Sequence, residues 1–325
     1  MRFSLISPTF DRPEEVKEFI SSISKLDYSR DLFEVILADG TPNDTLRPII
    51  ESESKRCNFK VTTIHKDYLP VSEARNVAAE KAKGKYLIFL DSDCIIPREY
   101  LKKIDSGLVK YSWEAFGGPD SAPPGFNDLQ KAISFSMTSF WTTGGIRGKK
   151  ISTAKYYPRG FNMGVRKDIF KTLNGFDTNF KTGEDVEFSI RLVQSKFRVG
   201  FIPEAVVYHK RRSNFLEFYN QVKRFGGARW HLSRRHKGQL KMTHMFPVFL
   251  ISFMLVSLIL AIFQIMAPLL IGIFYLIMPF ILSGFKNKSI KVGLLSIFST
   301  LIMMLAYAKG FLEAFMGGGT HLKRG

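Results

Sequence analysis

Apolar residues return along this chain in two rhythms before a third pattern takes over. Runs of strand length, Phe3 to Phe10 and Phe33 to Asp39, alternate with stretches of helical spacing, Pro13 to Ile23 and Asp44 to Glu53. Val61 to His65 reads as a third strand, Ser72 to Lys83 as a helix closed by Gly84, and Tyr86 to Asp91 as a fourth strand. Strands alternating with helices predict an α/β domain with a mostly parallel sheet, which gathers ligands at the carboxyl ends of its strands. Polar residues fall at those ends: Pro8-Thr9-Phe10-Asp11, Asp39-Gly40-Thr41 and Asp91-Ser92-Asp93.

From Phe246 to Phe285 the pattern changes to forty residues without a charge, about twice the ~20 that one helix needs to cross a bilayer. Two spans follow, near 245–264 and 267–285, with Gln264 and Pro268 marking the turn. A third run near 292–312 is expected to span as well, although its length also suits a segment that dips into the interface. The linear division is therefore 1–230 as a catalytic domain, 231–244 as a basic juxtamembrane segment, 245–315 as the membrane region and 316–325 as a tail.

Charge and cysteine content place this architecture. The net charge is +18, and ten Lys or Arg lie between Lys210 and Lys241 against the single acid Glu217. A basic stretch just before a span fits the positive-inside bias and anionic lipid headgroups better than nucleic acid, so membrane lipids are expected as partners and nucleic acid is not. With the loop Lys286, Lys288 and Lys291, it puts the main domain on the cytosolic face of a multi-pass inner-membrane protein. Cys57 and Cys94 are too few for a disulfide framework, consistent with a reducing compartment. The apolar run at the N-terminus is ended by Ser7, Pro8 and Asp11-Arg12 too early for a signal-peptide core.

The candidate chemistry is carboxylate chemistry. Asp91 and Asp93 stand two apart where an apolar strand meets a loop, and hard oxygens there suit Mg²⁺ or Mn²⁺ with coordination positions left for phosphate. Such a pair also caps turns in many proteins with no metal at all. Downstream, Glu184 and Asp185 open a helix, where the helix dipole favours acids whatever their use. A carboxylate in that place can also take the proton of an attacking hydroxyl. Neither a Gly-rich dinucleotide fingerprint nor a loop ending in Gly-Lys-Ser is present, which argues against a dehydrogenase or an ATPase.

Taken in order, Ser7-Pro8-Thr9-Phe10, Asp39-Gly40-Thr41, Ala74-Arg75-Asn76 with Ala82-Lys83-Gly84-Lys85-Tyr86, Asp91-Ser92-Asp93, and Asn174-Gly175-Phe176-Asp177 before Glu184-Asp185 resemble the family 2 glycosyltransferases over residues 3 to 230. The resemblance implies a Rossmann-like, nucleotide-sugar-binding fold of the A type, with membrane helices appended here. It implies that Pro8, Thr9, Asp39, Arg75, Asp91, Ser92 and Asp93 hold the nucleotide, with Asp39 on the base. It further implies that Asp93, joined by His209, binds a divalent metal, Mn²⁺ or Mg²⁺, and that Asp185 is the base. Gly118, Asp120, Asn162, Glu184 and Arg224 are expected around the sugar and acceptor, and the stretch Ala132 to Gly148 as an acceptor loop.

Two departures from the family pattern stand out. Ala38 precedes Asp39 where two consecutive acids are common, and Gln221-Val222-Lys223-Arg224-Phe225-Gly226 has Phe where processive members carry Trp. The second favours a non-processive enzyme. The expected reaction is a single, inverting displacement from a nucleoside-diphosphate sugar onto a membrane-proximal saccharide acceptor, lipid-linked by its placement. The competing classes are a nucleotidyltransferase, which would release pyrophosphate, and a catalytically silent membrane partner.

Overall fold

The computed structural model describes residues 1–121, 125–144 and 156–317, and within them the chain divides into two compact units, Met1–Pro123 with Lys149–Lys210 and Pro124–Gly148 with Arg211–Gly325. Contact thus assigns 124–148 and 211–230 to the second unit, whereas the linear division had kept them with the catalytic domain.

The first unit opens with β1 (Phe3–Thr9), α1 (Pro13–Ser24), β2 (Phe33–Asp39), α2 (Arg47–Lys55), β3 (Val61–His65), α3 (Val71–Lys81) and β4 (Tyr86–Leu90). These are the alternating elements that the apolar rhythm predicts. Next come β5 (Cys94–Ile95), α4 (Tyr100–Tyr111), β6 (Ala115–Gly117) and β7 (Asp120–Ser121). In chain order α5 (Asp128–Thr138) and α6 (Phe140–Thr143) follow and belong to the second unit. The first unit resumes with β8 (Asn162–Arg166), α7 (Lys167–Thr172), α8 (Glu184–Gln194), β9 (Val199–Phe201) and β10 (Val207–His209).

Seven strands form one sheet in the order β3-β2-β1-β4-β8-β6-β9, with β8 antiparallel to both its neighbours and the other pairs parallel. β5, β10 and β7 make a small second sheet. Alternation along the central strands fills both faces, because successive side chains point to opposite sides. Phe3, Leu5, Val35, Leu37, Ile88 and Leu90 pack on one face, and Ile6, Ile36, Leu87 and Phe89 on the other. Each such fully buried side chain contributes about 1.5–3 kcal/mol. The strand order reverses at β1, which lies between β2 and β4, and that reversal opens a crevice at the carboxyl ends of β1 and β4.

The second unit continues with α9 (Phe215–Arg235), α10 (Met242–Ile262), α11 (Ala267–Asn287) and α12 (Ile290–Phe315). The last three are long and apolar enough to cross a membrane. Gln264 takes a left-handed conformation, φ 65°, in the turn between α10 and α11, where the sequence placed it. The expected acceptor loop is corrected: α5 and α6 occupy most of 132–143, and 145–148 lie outside the described residues, as does the tail from 318. A capping box between Asn127 and Gln130 starts α5, and Ile133 and Met137, four apart, bury one face of it.

Candidate active site

β1 and β2 end side by side, Thr9 opposite Asp39. Asp39 is fully buried, and its Oδ1 accepts from the Thr41 backbone N–H at 3.0 Å and the Thr41 hydroxyl at 2.6 Å. Its Oδ2 and the Thr9 hydroxyl are also buried and have no hydrogen-bond partner among the described residues. Leaving a buried polar atom unmade costs about 1–3 kcal/mol, so these atoms mark a place where a bound molecule would supply the missing partners. Pro8 sits one register step back, opposite Ala38.

Beyond the end of β4, two charged groups separate. Arg75, on α3, is buried, with Nη2 on Asp91 Oδ1 at 2.8 Å and Nη1 on Glu184 Oε1 at 2.6 Å. Its guanidinium lies over the Phe176 ring, and a Cβ at Gly160 would stand 2.7 Å from Nη2. Burial works against the Arg75 charge, but Glu184, Asp91 and Asp185 more than offset it, so its pKa is raised. Burial also pushes Asp91 and Glu184 above the ordinary carboxylate range, with Arg75 pulling each the other way. Arg75 therefore ties the end of β4 to the start of α8, with Glu184 as its buried partner.

The second group surrounds Asp93. Arg12 Nη1 lies 3.3 Å from Asp93 Oδ2, and His209 Nε2 lies 3.1 Å from Asp93 Oδ1 and 4.0 Å from Asp91 Oδ2. Asp120 Oδ2 comes within 3.9 Å of His209 Nδ1, and the imidazole packs on the Phe161 ring. β10 carries His209 here by pairing antiparallel with β5, so that His209 stands opposite Cys94. Donor atoms of Asp93, Cys94 and His209 fall within 4.8 Å of one another. A carboxylate and an imidazole suit Mn²⁺, and two protein ligands would leave coordination positions for water and phosphate. Burial pushes the Cys94 thiol well above its usual pKa, and a hard cation such as Mn²⁺ favours the carboxylate and imidazole over sulfur.

Asp185 stands next to the Arg75 partner in the first turn of α8. Gly183, at φ 83°, makes the left-handed turn that starts this helix. Asp185 Oδ2 accepts from the Gly160 N–H at 2.9 Å and Oδ1 from the Val186 N–H at 2.8 Å. Two backbone donors fix the carboxylate and leave lone pairs on both oxygens. Asp93 connects through His209 and Asp91 to Arg75 and thence to Glu184, the neighbour of Asp185, so the acids from distant parts of the chain meet at one rim.

Asn162 is fully buried, with its Oδ1 accepting from Tyr100 Oη at 2.6 Å and its Nδ2 donating to Ala205 O at 2.7 Å, so it fastens β8 to α4 and to the segment before β10. Gly118 is there for close approach: a Cβ would meet Ala205 O at 2.0 Å. Arg224 belongs to α9 of the second unit. Ser92 is buried within the triplet. Arg12 was missed, although its place directly after the first strand end was the available signal.

A reversal-point crevice rimmed by acids is where an α/β sheet of this kind binds its ligand. Residues 4–173 match the family described as glycosyl transferase family 2, and the chain belongs to that family. It is similar to poly(ribitol-phosphate) beta-N-acetylglucosaminyltransferase TarS of Staphylococcus aureus, 33% identical over 102 residues, which make up 31% of this chain and only 18% of that one. It is 25% identical over 266 residues, 79% of this chain and 80% of the other, to a dolichyl N-acetyl-alpha-D-glucosaminyl phosphate 3-beta-D-2,3-diacetamido-2,3-dideoxy-beta-D-glucuronosyltransferase of Methanococcus voltae. Among solved structures, the mannosyltransferase PcManGT of Pyrobaculum calidifontis, in complex with GDP-Man and Mn²⁺, superposes with a TM-score of 0.63 at 15% identity, covering 98% of this chain and 88% of that one. That likeness shows the fold.

Proposed function

We propose that the protein transfers a sugar, with inversion, from a nucleoside-diphosphate sugar to a membrane-proximal, lipid-linked saccharide, one residue at a time, on the cytosolic face of the membrane. The observation that carries this reading is the meeting of Asp93 with His209 and of Asp185 with Gly160 on one rim, joined through Arg75. The unmet Asp39 and Thr9 oxygens receive the nucleoside, with Pro8 shaping the strand end beside them. Asp93 and His209 would hold Mn²⁺, which when bound offsets charge on the departing diphosphate. Arg12, close to Asp93, adds a further positive charge there. Asp120 orients the imidazole of His209, and Arg75 keeps the triplet and α8 in register.

Asp185 takes the proton from the acceptor hydroxyl as that oxygen attacks the anomeric carbon. Attack from the face opposite the leaving group inverts the anomer, and a separate base on that face is the logic of inverting hydrolases as well. The apolar helices that follow in the chain support an acceptor near the bilayer, and the Lys286, Lys288 and Lys291 loop supports the cytosolic side. The Methanococcus voltae relative is named for transfer of a glucuronosyl group onto a dolichyl-linked N-acetylglucosaminyl phosphate, and this supports the acceptor class.

The test is incubation of the full chain in membranes with Mn²⁺ and a panel of UDP-, GDP- and dTDP-sugars, followed by NMR of the product anomer. Release of nucleoside diphosphate with an inverted glycosidic bond is expected. Pyrophosphate release, or a retained anomer, would overturn the reading.

A further inference from the structure

The three apolar helices are not equivalent. Of the most apolar stretch of α12, 39% is buried within the protein, against 11% for α10 and 17% for α11. The cover is polar. Along the C-terminal half of α12 it is α9, and the two backbones touch: a Cβ on Gly226 would stand 2.1 Å from Tyr307 O, and one on Gly310 would stand 1.9 Å from Lys223 O. Glycines at a crossing permit such an approach, and any bulkier residue would push the helices apart. Trp230 packs edge-on against Phe311 and Phe315, Phe218 and Val222 cluster with Ala306, and Lys223 Nζ pairs with Glu313 Oε2 at 2.8 Å. Residues 306–315 of α12 therefore share the depth of α9.

That depth cannot be the hydrocarbon. α9 is punctuated by Lys223, Arg224, Arg229, Arg234 and Arg235, with Arg224, Arg234 and Arg235 exposed. Cations along a single helix disfavour burial among acyl chains, and a helix with one apolar and one basic face lies in the interface plane instead. The N-terminal half of α12 is also covered, by α5, through Ser136 Oγ on Thr300 Oγ1 at 3.1 Å and Lys291 on Asp128 at 3.2 Å. Leu305, Leu312 and Phe315 remain exposed on α12.

We infer that α12 does not cross the bilayer: with α5 and α9 it forms an in-plane platform on the side where α10 begins, and only α10 and α11 span. Its partner is an anionic lipid surface, with the exposed Leu and Phe side chains at the acyl boundary and the Arg side chains of α9 among the headgroups. The C-terminal end then stays on the side of Lys288.

The experiment reads the side of the membrane on which α12 ends. In the full chain with Cys57→Ser and Cys94→Ala, single cysteines are introduced as Gln264→Cys, Lys288→Cys and Met316→Cys, and sealed vesicles of both orientations are treated with an impermeant maleimide. Met316→Cys is expected to react in the vesicles where Lys288→Cys reacts, at least tenfold faster than in those where Gln264→Cys reacts. Reaction of Met316→Cys together with Gln264→Cys would overturn the inference. An epitope fused after Gly325 in the unmodified chain gives the same reading by antibody access without touching either native cysteine: exposure with the Lys288 side supports the platform, and exposure with the Gln264 side contradicts it.

Discussion

Two charged clusters lie within a few residues of each other at the end of β4, and they have opposite designs. Around Arg75 one buried guanidinium is matched to two carboxylates at 2.6–2.8 Å, with Glu184 buried and Asp91 half-buried, roofed by Gly160 and floored by Phe176. Around Asp93 the partners are spaced at 3.1–4.0 Å and come from the segment after β1, from the end of β4, and from β7 and β10. The contrast teaches that an acid's residue type does not reveal its use. Saturation by protein partners marks a positioning role, and loose, mixed-charge surroundings mark a site for something that is bound.

Substitutions can break this contrast. The largest effect is expected from Asp185→Asn, which keeps a backbone-bonded side chain but cannot take a proton: turnover should fall about 10²–10⁴-fold while donor binding stays unchanged, as measured by transfer rate beside nucleotide titration. Unchanged turnover would remove Asp185 from the chemistry. Arg75→Met should act on the fold, because it strands the buried Glu184 and the half-buried Asp91. A loss of about 3–5 kcal/mol in unfolding free energy is expected from denaturant titration. A variant of wild-type stability would show that the cluster is not a strut.

Glu184→Gln sharpens the contrast through pH. Burial raises the folded-state pKa of Glu184, so the protonated form is the one the fold prefers. That contribution is fully present below the unfolded value of about 4.3 and is lost as pH rises through the higher folded value. Stability of the wild type relative to Glu184→Gln should therefore fall as pH increases across that window. Melting temperatures that run parallel for the two proteins would contradict the shift. The smallest effect is expected from His209→Asn, a roughly tenfold weaker affinity for Mn²⁺ with little change in melting temperature, read by metal titration.

Much of this fold could be read from residue order alone, and the reasons are local. β1, β2 and β4 announce themselves because each alternates between two buried faces and ends on a polar rim. β5, β7 and β10 do not, since two or three residues are too short to show a period, and their pairing depends on partners 87 to 115 positions away. α5 looked like a loop because Phe, Ser and Thr are poor helix formers; its capping box and the pair Ile133 and Met137 outweigh propensity. At the site, Asp39, Asp93 and Asp185 stand on the rim where strand ends and a helix start implied. What Asn162 and Gly118 touch, Tyr100 and Ala205, is brought to them only by folding.

The account stands on the claim that the loose cluster binds and the tight one positions. Electron paramagnetic resonance of Mn²⁺ with nucleoside diphosphate, on the full chain in detergent, tests it by comparing Asp93→Asn with Glu184→Gln. Bound Mn²⁺ should disappear in Asp93→Asn at concentrations that saturate the wild type, and should persist in Glu184→Gln. Equal binding in both variants, or loss only in Glu184→Gln, would contradict it.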